Sequence, residues 1–433
     1  MSERAILHFD GDSFFASVEV ALNHKLRGLP VVTGAERGAA TSASYEAKKL
    51  GITRSMTMKQ IKELCPNVVV VNSDYRAYAI YAHRMYRIAR RFTPHVEEYS
   101  VDECFADITG LDKKYGVSYP EIALMIKAAL ERSLGITFGV GLAATKTLAK
   151  VGSKYRKPAG FTYIPNTERR KYLETLPIGS VWGVGPATVL QFNKLGINTA
   201  LQLADKPREW FLAQHLHKHH RALWYELNGI LVNELSTQEF GDAEEPQASI
   251  IKTRTFSPPS TKKDFLYSQL AKNIERACEK ARASGVRPRA ITVMLKTQSF
   301  LYGRVEVDLP VATADPRDIL RIVKPYFEKL YRSNTEYRAT GITLRSLVYE
   351  SSFTHDLFGE AGRTNRNLAV LNSIDELNHR YGTQTVYMGA SMQAVNYRER
   401  NRASKKAAKR KVLISSEFKR KSIDIPFLGA ARA

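Results

Sequence analysis

The chain is poor in cysteine, in unbroken apolar stretches and in acids, and each shortage removes a class of protein. Its three cysteines, Cys65, Cys104 and Cys278, are odd in number and widely spaced, so neither a disulfide framework nor a zinc set is expected. The longest apolar runs, such as residues 68–71, are far too short to cross a bilayer, and no membrane partner is expected. No basic flank with an apolar stretch behind it opens the sequence, so no secretory leader is expected and the reading is cytoplasmic. Acids are outnumbered: 65 Lys and Arg stand against 43 Asp and Glu, a formal net charge of +22. Such an excess favours a polyanionic partner, because basic side chains gain affinity by releasing counterions condensed on phosphates. Nucleic acid is the expected partner, with a merely soluble basic surface as the plainer alternative.

With 433 residues, 44% of them hydrophobic, the chain holds more than one core, and about two to four domains are expected. Over residues 1–175 strands and helices alternate: a strand at 5–10, then a helix at 13–22 striped by Phe14, Val18 and Ala21. A mixed insert occupies about 24–74, with a helix-like stretch at 44–50. A basic, tyrosine-rich helix at 75–91 follows, then two strands around a tight turn at 96–108. A helix at 119–134, a strand at 136–140 and a helix at 144–155 complete the region. Without the insert the order is β-α-β-β-α-β, the ferredoxin-like arrangement. Residues 176–240 read as helical with short loops, and 241–248 as an acidic linker containing Gly and Pro. Residues 249–350 give β-α-β-β-α-β a second time, without visible residue identity to the first. In the remaining 351–433 one helix is expected at 365–381. The basic run at 398–421 has few apolar residues and is expected to be disordered until bound. The expected fold class is therefore α+β and multidomain.

The candidate chemistry lies in two segments, His8-Phe9-Asp10-Gly11-Asp12-Ser13-Phe14-Phe15 and Ser100-Val101-Asp102-Glu103-Cys104. Each places carboxylates where an apolar strand meets a turn. In a ferredoxin-like sheet the first and third strands are central neighbours, so Asp10 can face the Asp102–Glu103 pair. Two like charges about 4 Å apart repel by roughly 4 kcal/mol at an effective dielectric of 20. Three such acids on a half-buried sheet call for a cation. Hard oxygen ligands suit Mg²⁺, and two such ions can activate an attacking hydroxyl and stabilise a leaving pyrophosphate. The plainer alternative is a set of exposed turn acids.

Phe9-Asp10-Gly11-Asp12-Ser13-Phe14-Phe15-Ala16-Ser17-Val18-Glu19 resembles the opening signature of the Y family of translesion DNA polymerases. Tyr99-Ser100-Val101-Asp102-Glu103-Cys104-Phe105 resembles its second catalytic motif. Ser44-Tyr45-Glu46-Ala47-Lys48 and Lys154-Tyr155-Arg156-Lys157-Pro158-Ala159-Gly160 match two further motifs in the expected order, and the similarity spans about residues 4–350. The resemblance implies a palm at 1–175 carrying a fingers insert at about 24–74, a helical thumb at 176–240 and a little finger at 249–350. It implies that Asp10, Asp102 and Glu103 hold two Mg²⁺ ions, that Phe15 is the steric gate against ribose, and that Tyr45, Lys48 and Lys157 clamp the triphosphate. The position after Asp10 usually carries a bulky side chain in this family; here it is Gly11. Asp12 and Asp107 are read as structural acids, and Lys49, Lys150 and Lys154 as solvated.

Ser180-Val181-Trp182-Gly183-Val184-Gly185-Pro186-Ala187 resembles a helix-hairpin-helix turn, in which Gly183 and Gly185 let backbone N–H groups approach a DNA phosphate. His215, His217, His219 and His220 lack an acid or cysteine at ligand spacing and are read as a basic helix end. Lys252 and Arg254 share one strand face and are phosphate-contact candidates, as are Lys296, Arg304 and Arg345. Thr354-His355-Asp356-Leu357-Phe358 resembles a sliding-clamp peptide without the usual leading Gln, so Asp356, Leu357 and Phe358 are clamp candidates. Residues 422–428 form a second peptide-like patch. The function implied is template-dependent addition of dNTPs to a primer on primer-template DNA, without proofreading, by a monomer. A catalytically inert scaffold that binds DNA and the clamp is the alternative.

Overall fold

Alternate residues of the first strand face two different helical layers, and this sets the site. The computed structural model describes residues 4–213, 218–236, 248–349 and 360–397, and the chain divides into two compact units, Met1–Phe240 and Gly241–Ala433. In the first unit the strands are β1 (Ile6–Gly11), β2 (Val31–Thr33), β3 (Ser42–Ala43), β4 (Val69–Val71), β5 (Val96–Ser100), β6 (Glu103–Asp107), β7 (Phe138–Ala143) and β8 (Phe161–Ile164). Five of them form one sheet in the order β5-β6-β1-β7-β8. β1 runs antiparallel to both β6 and β7, with all six of its residues buried. Leu7 and Phe9 join a core with the helices Tyr75–Arg90 and Tyr119–Leu134, while Ile6 packs with the helix Lys146–Tyr155 on the opposite face. That helix lies unusually close: a Cβ on Gly141 would come 1.9 Å from the Ala149 carbonyl.

The insert forms its own small sheet, β3-β2-β4, over a core that includes Val32, Ala47 and Ile61. The helical stretch after β8 shares a core with the large sheet, in which Phe105 and Leu148 meet Val181, Phe192 and Leu223. A buried acid joins the two parts. Glu226 accepts from the backbone N–H of Thr147 (3.0 Å) in the first turn of the helix Lys146–Tyr155, and from Val232 (3.1 Å) and Asn233 (3.0 Å). Thr145, the N-cap of that helix, donates to the Glu226 carbonyl at 2.9 Å.

The second unit contains β9 (Ser249–Ser260), β10 (Val286–Thr297), β11 (Tyr302–Asp308) and β12 (Tyr337–Tyr349), with the helices Lys263–Ala283 and Pro316–Leu330 between them. The element order matches the expectation, but the spatial order is β11-β10-β12-β9, which puts the first strand at an edge. In the first unit the corresponding strand is interior. Connectivity through crossover helices is compatible with either order, so the second unit is not a copy of the first. The helix expected at 365–381 is longer, Glu360–Tyr381. It belongs to a layer on the helix Lys263–Ala283, to which Arg282 and Asp375 contribute a two-pronged ion pair with both contacts at 2.7 Å. The same layer is tied at Ala394, which accepts from Lys272 Nζ (3.1 Å) and donates to Ser268 Oγ (3.0 Å). The basic run at 398–421 and the peptide-like motifs at 354–358 and 422–428 lie outside the described residues.

Candidate active site

Asp10 and Glu103 are direct partners across the central strands β1 and β6, and Asp102 sits in the turn just before Glu103. The Asp102 carbonyl also accepts from the Gly11 N–H at 2.8 Å, which ties this turn to the end of β1. Burial first, then the charges of Glu103 and Asp10, push the Asp102 carboxyl above its ordinary range, although Ser100 Oγ donates to it at 2.6 Å. The acids therefore feel one another. Among the described residues, however, no three His, Cys, Asp or Glu side chains are gathered closely enough to hold an ion as they stand.

Lysines neutralise two of these acids instead. Lys157 Nζ donates to Asp10 Oδ1 at 2.6 Å. Lys150 Nζ donates to Glu103, whose carboxylate also meets His8 Nε2 at 3.2 Å. Burial alone would raise the Glu103 carboxyl, but hydrogen bonds and charge from His8 and Lys150 outweigh it and hold the group at about 2. Burial holds His8 below its ordinary value despite the neighbouring acid. The expectation of a solvated Lys150 is thus overturned: it is 6% exposed, whereas Lys49 and Lys154 are exposed. Its helix is pressed onto glycines of β7, which leaves that face no solvent. The donors Asp10, Asp102 and Glu103 are all oxygen, the chemistry a hard divalent cation prefers, and the crowding felt by Asp102 is what such a cation relieves.

Asp12 is a cross-tie. Its carboxylate accepts from Thr137 Oγ1 (2.9 Å), the Ala159 N–H (2.7 Å) and Tyr45 Oη (3.3 Å), joining β1, the segment after Lys157 and the insert. Lys48 lies over the Tyr45 ring at 4.3 Å and donates to Ser13 Oγ at 2.8 Å. Burial first, then the like charges of Lys157 and Arg54, lower the Lys48 pKa. Lys48, Lys157 and Arg54 therefore form one cationic cluster beside Tyr45. Sequence reasoning missed Arg54, which lies in a loop where no periodic signal marks it.

Phe15 is half-buried and stacked on Tyr78, with ring centroids 4.2 Å apart and planes 10° apart, and Tyr75 meets its edge at 5.8 Å. A Cβ on Gly11 would come 2.8 Å from the Phe14 ring, so that ring backs the position where a bulky side chain was expected. Farther along the chain, Gly183 has φ +87° and carries His219 against it; a Cβ there would lie 2.6 Å from the imidazole. Gly185 is the N-cap of the helix Pro186–Lys194 and faces open space. His220 is buried with its ring 5.3 Å from Phe192, so it is a packing residue and not part of an exposed basic end. His215 and His217 lie outside the described residues, as do Asp356, Leu357 and Phe358. Lys252 and Arg254 share a face, as their spacing predicts. It is the face of Ile250, on the helix side of the sheet, where burial and the charges of Arg276 and Lys280 lower the Lys252 pKa.

The impB/mucB/samB family model matches residues 9–154, and the model of that family's C-terminal domain matches 247–357. DNA polymerase IV of Caulobacter vibrioides is 30% identical over 392 residues, 90% of this chain and 94% of its own. DNA polymerase IV of Desulfatibacillum aliphaticivorans is 30% identical over 389 residues, 89% of this chain and 96% of its own. A solved Y-family DNA polymerase chimera of Dbh and Dpo4 shares the fold, with a TM-score of 0.64 at 21% identity over 80% of this chain and 99% of that one. The chain belongs to the impB/mucB/samB family, the Y family of DNA polymerases. No helix among the described residues is long and apolar enough to cross a membrane.

Proposed function

We propose that this chain is a translesion DNA polymerase that adds dNTPs to a primer 3′-hydroxyl using Mg²⁺ ions held by Asp10, Asp102 and Glu103. The observation that carries the reading is the direct pairing of Asp10 with Glu103 on the central strands, with Asp102 in the adjoining turn. Two bound ions would supply activation of the attacking hydroxyl and stabilisation of the leaving pyrophosphate. Tyr45, Lys48 and Lys157 receive the triphosphate. The mutual repulsion of Lys48 and Lys157 makes their cluster a ready anion site, because a bound phosphate removes a cost already present in the free protein. Phe15 excludes the ribose 2′-hydroxyl, its ring held flat by Tyr78.

On this reading residues 1–175 are the palm with the fingers insert at about 24–74, and 176–240 are the thumb. Residues 249–350 are the little finger, and 351–433 the tail. Gly183 and Gly185 offer backbone N–H groups to a DNA phosphate, and Lys252 and Arg254 reach phosphates from the sheet edge. Asp356, Leu357 and Phe358 address the sliding clamp, and the enzyme acts as a monomer. Primer extension with Mg²⁺ tests the assignment: Asp102→Ala should lower the rate on the order of 10³-fold or more while primer-template affinity stays nearly unchanged. A wild-type chain that binds DNA yet adds no dNTP would instead be the inert scaffold.

A further inference from the structure

One face of the second sheet carries the two helices, and the other is open among the described residues. On β10 the buried residues Ile291, Val293 and Leu295 face the helices, so Thr292, Met294 and Lys296 face outward. Their partners Glu306, Arg304 and Tyr302 on β11 face outward with them. At the hairpin end of this face two large aromatic rings stand in the open, Phe300 at 58% and Tyr302 at 48% exposure. Each is flanked by cations. Lys296 Nζ lies 4.7 Å from the Phe300 centroid and 4.5 Å from that of Tyr302. Arg304 lies 4.7 Å from Tyr302, and Arg338 lies 4.4 Å from Phe300. None of these three cations has an ion-pair partner among the described residues. Glu306, an acid on the same face, is engaged by Arg345.

The rings are held in place. Thr297 N–H donates to the Leu301 carbonyl at 2.9 Å, Phe300 N–H to Thr297 at 3.1 Å, and Gln298 N–H to Glu336 on the neighbouring segment at 2.8 Å. Phe300 sits at φ +68°, a backbone region that residues with side chains rarely adopt. An exposed aromatic pair overlain by cations that have no acid partner among the described residues suits a ligand that is both flat and anionic. Unpaired nucleobases on a phosphate backbone are that ligand, because every base has a face to stack and every phosphate a charge to neutralise.

We propose that the hairpin end of this face, built on Phe300, Tyr302, Lys296, Arg304 and Arg338, is a stacking platform for unpaired bases of single-stranded DNA. The inference rests on the polymerase reading only for the source of such a strand, the uncopied template. Anisotropy with the full-length chain tests it, using one primer-template duplex with a long 5′ overhang, either base-bearing or abasic. Both overhangs keep their phosphates, so their difference reports stacking. The wild type should bind the base-bearing overhang roughly tenfold or more tightly than the abasic one. Phe300→Ala combined with Tyr302→Ala should erase that preference, whereas Tyr302→Phe should keep it. Arg304→Gln should weaken both probes alike and reduce the salt dependence by about one phosphate's worth. Equal wild-type affinity for the two overhangs, or a preference that survives loss of both rings, overturns the proposal and leaves a protein partner as occupant. Primer extension run alongside separates the failures. Extension without base preference sinks this inference alone, and base preference without extension sinks the polymerase reading alone.

Discussion

In the first unit the strand that opens the β-α-β-β-α-β order, β1, lies inside its sheet between β6 and β7; in the second its counterpart, β9, lies at the edge beside β12 alone. The interior position buries both faces, so acids placed there must find countercharges within the protein, as Asp10 and Glu103 do in Lys157 and Lys150. Among the described residues the second sheet leaves one face uncovered, where Lys296 and Arg304 lie over rings and Arg345 pairs with Glu306. A single order of elements thus yields a buried cluster of acids and lysines in one case and an uncovered face in the other. What differs is which strand is enclosed.

The contrast is tested most severely at two glycines. Gly141→Ala would drive a Cβ to 1.9 Å from the Ala149 carbonyl and 2.4 Å from the Ser153 nitrogen. It should cost about 3 kcal/mol in urea unfolding, at the upper end for overpacking. Gly303→Ala, in the second sheet, meets nothing nearer than 3.4 Å and should stay within about 0.5 kcal/mol. Equal effects would mean that the helix Lys146–Tyr155 is not seated against β7 as described.

A second contrast sets one braced ring against the other. Phe15→Ala should reduce discrimination against ribonucleotides by roughly 10–200-fold. Tyr78→Leu, which removes the ring beneath it, should act in the same direction but less. Phe300→Ala should leave sugar selection unchanged, measured as the ratio of kcat/KM for dNTP and rNTP. A matching loss in the Phe300 variant would collapse the distinction between a wall and a platform.

A modest effect is expected at Asp102. Its folded pKa is raised, so the carboxylate favours folding only while protonated and disfavours it once pH rises through that value. Asp102→Asn should therefore raise the melting temperature of the metal-free protein at neutral pH by roughly 2–4 °C, what about 1 kcal/mol is worth in a unit of this size. Added Mg²⁺ should stabilise the wild type and not this variant. Glu103, held at about 2 by its partners, has the opposite sign, and its contribution fades only as pH falls toward that value.

The strands that carry Asp10 and Glu103 were legible because apolar runs end in acids at defined turns, and their adjacency, though not the register that pairs the two residues, follows from the ferredoxin-like order. Lys150 was not legible, because an isolated helical lysine is usually solvated. Its spacing of four from Lys146 was a usable signal, since both lie on one helix face and both meet sheet acids, Glu97 and Glu103. For Lys252 and Arg254 the alternation was visible but not the face, which depends on the strand order that connectivity left open. Phe300 and Tyr302 carried no apolar period at all, and only the fold brings Arg338 over Phe300.

The Glu226 carboxylate has a practical consequence for anyone wishing to excise the catalytic region. It is fully buried, and it supplies an acceptor to the first turn of the very helix that presents Lys150 to Glu103. A fragment truncated after residue 175 would leave that turn without its acceptor and strip the shared core from Leu148 and Phe105. A free-standing piece that keeps these contacts therefore extends at least through Ser236, whose N–H donates to Glu97 at 3.0 Å.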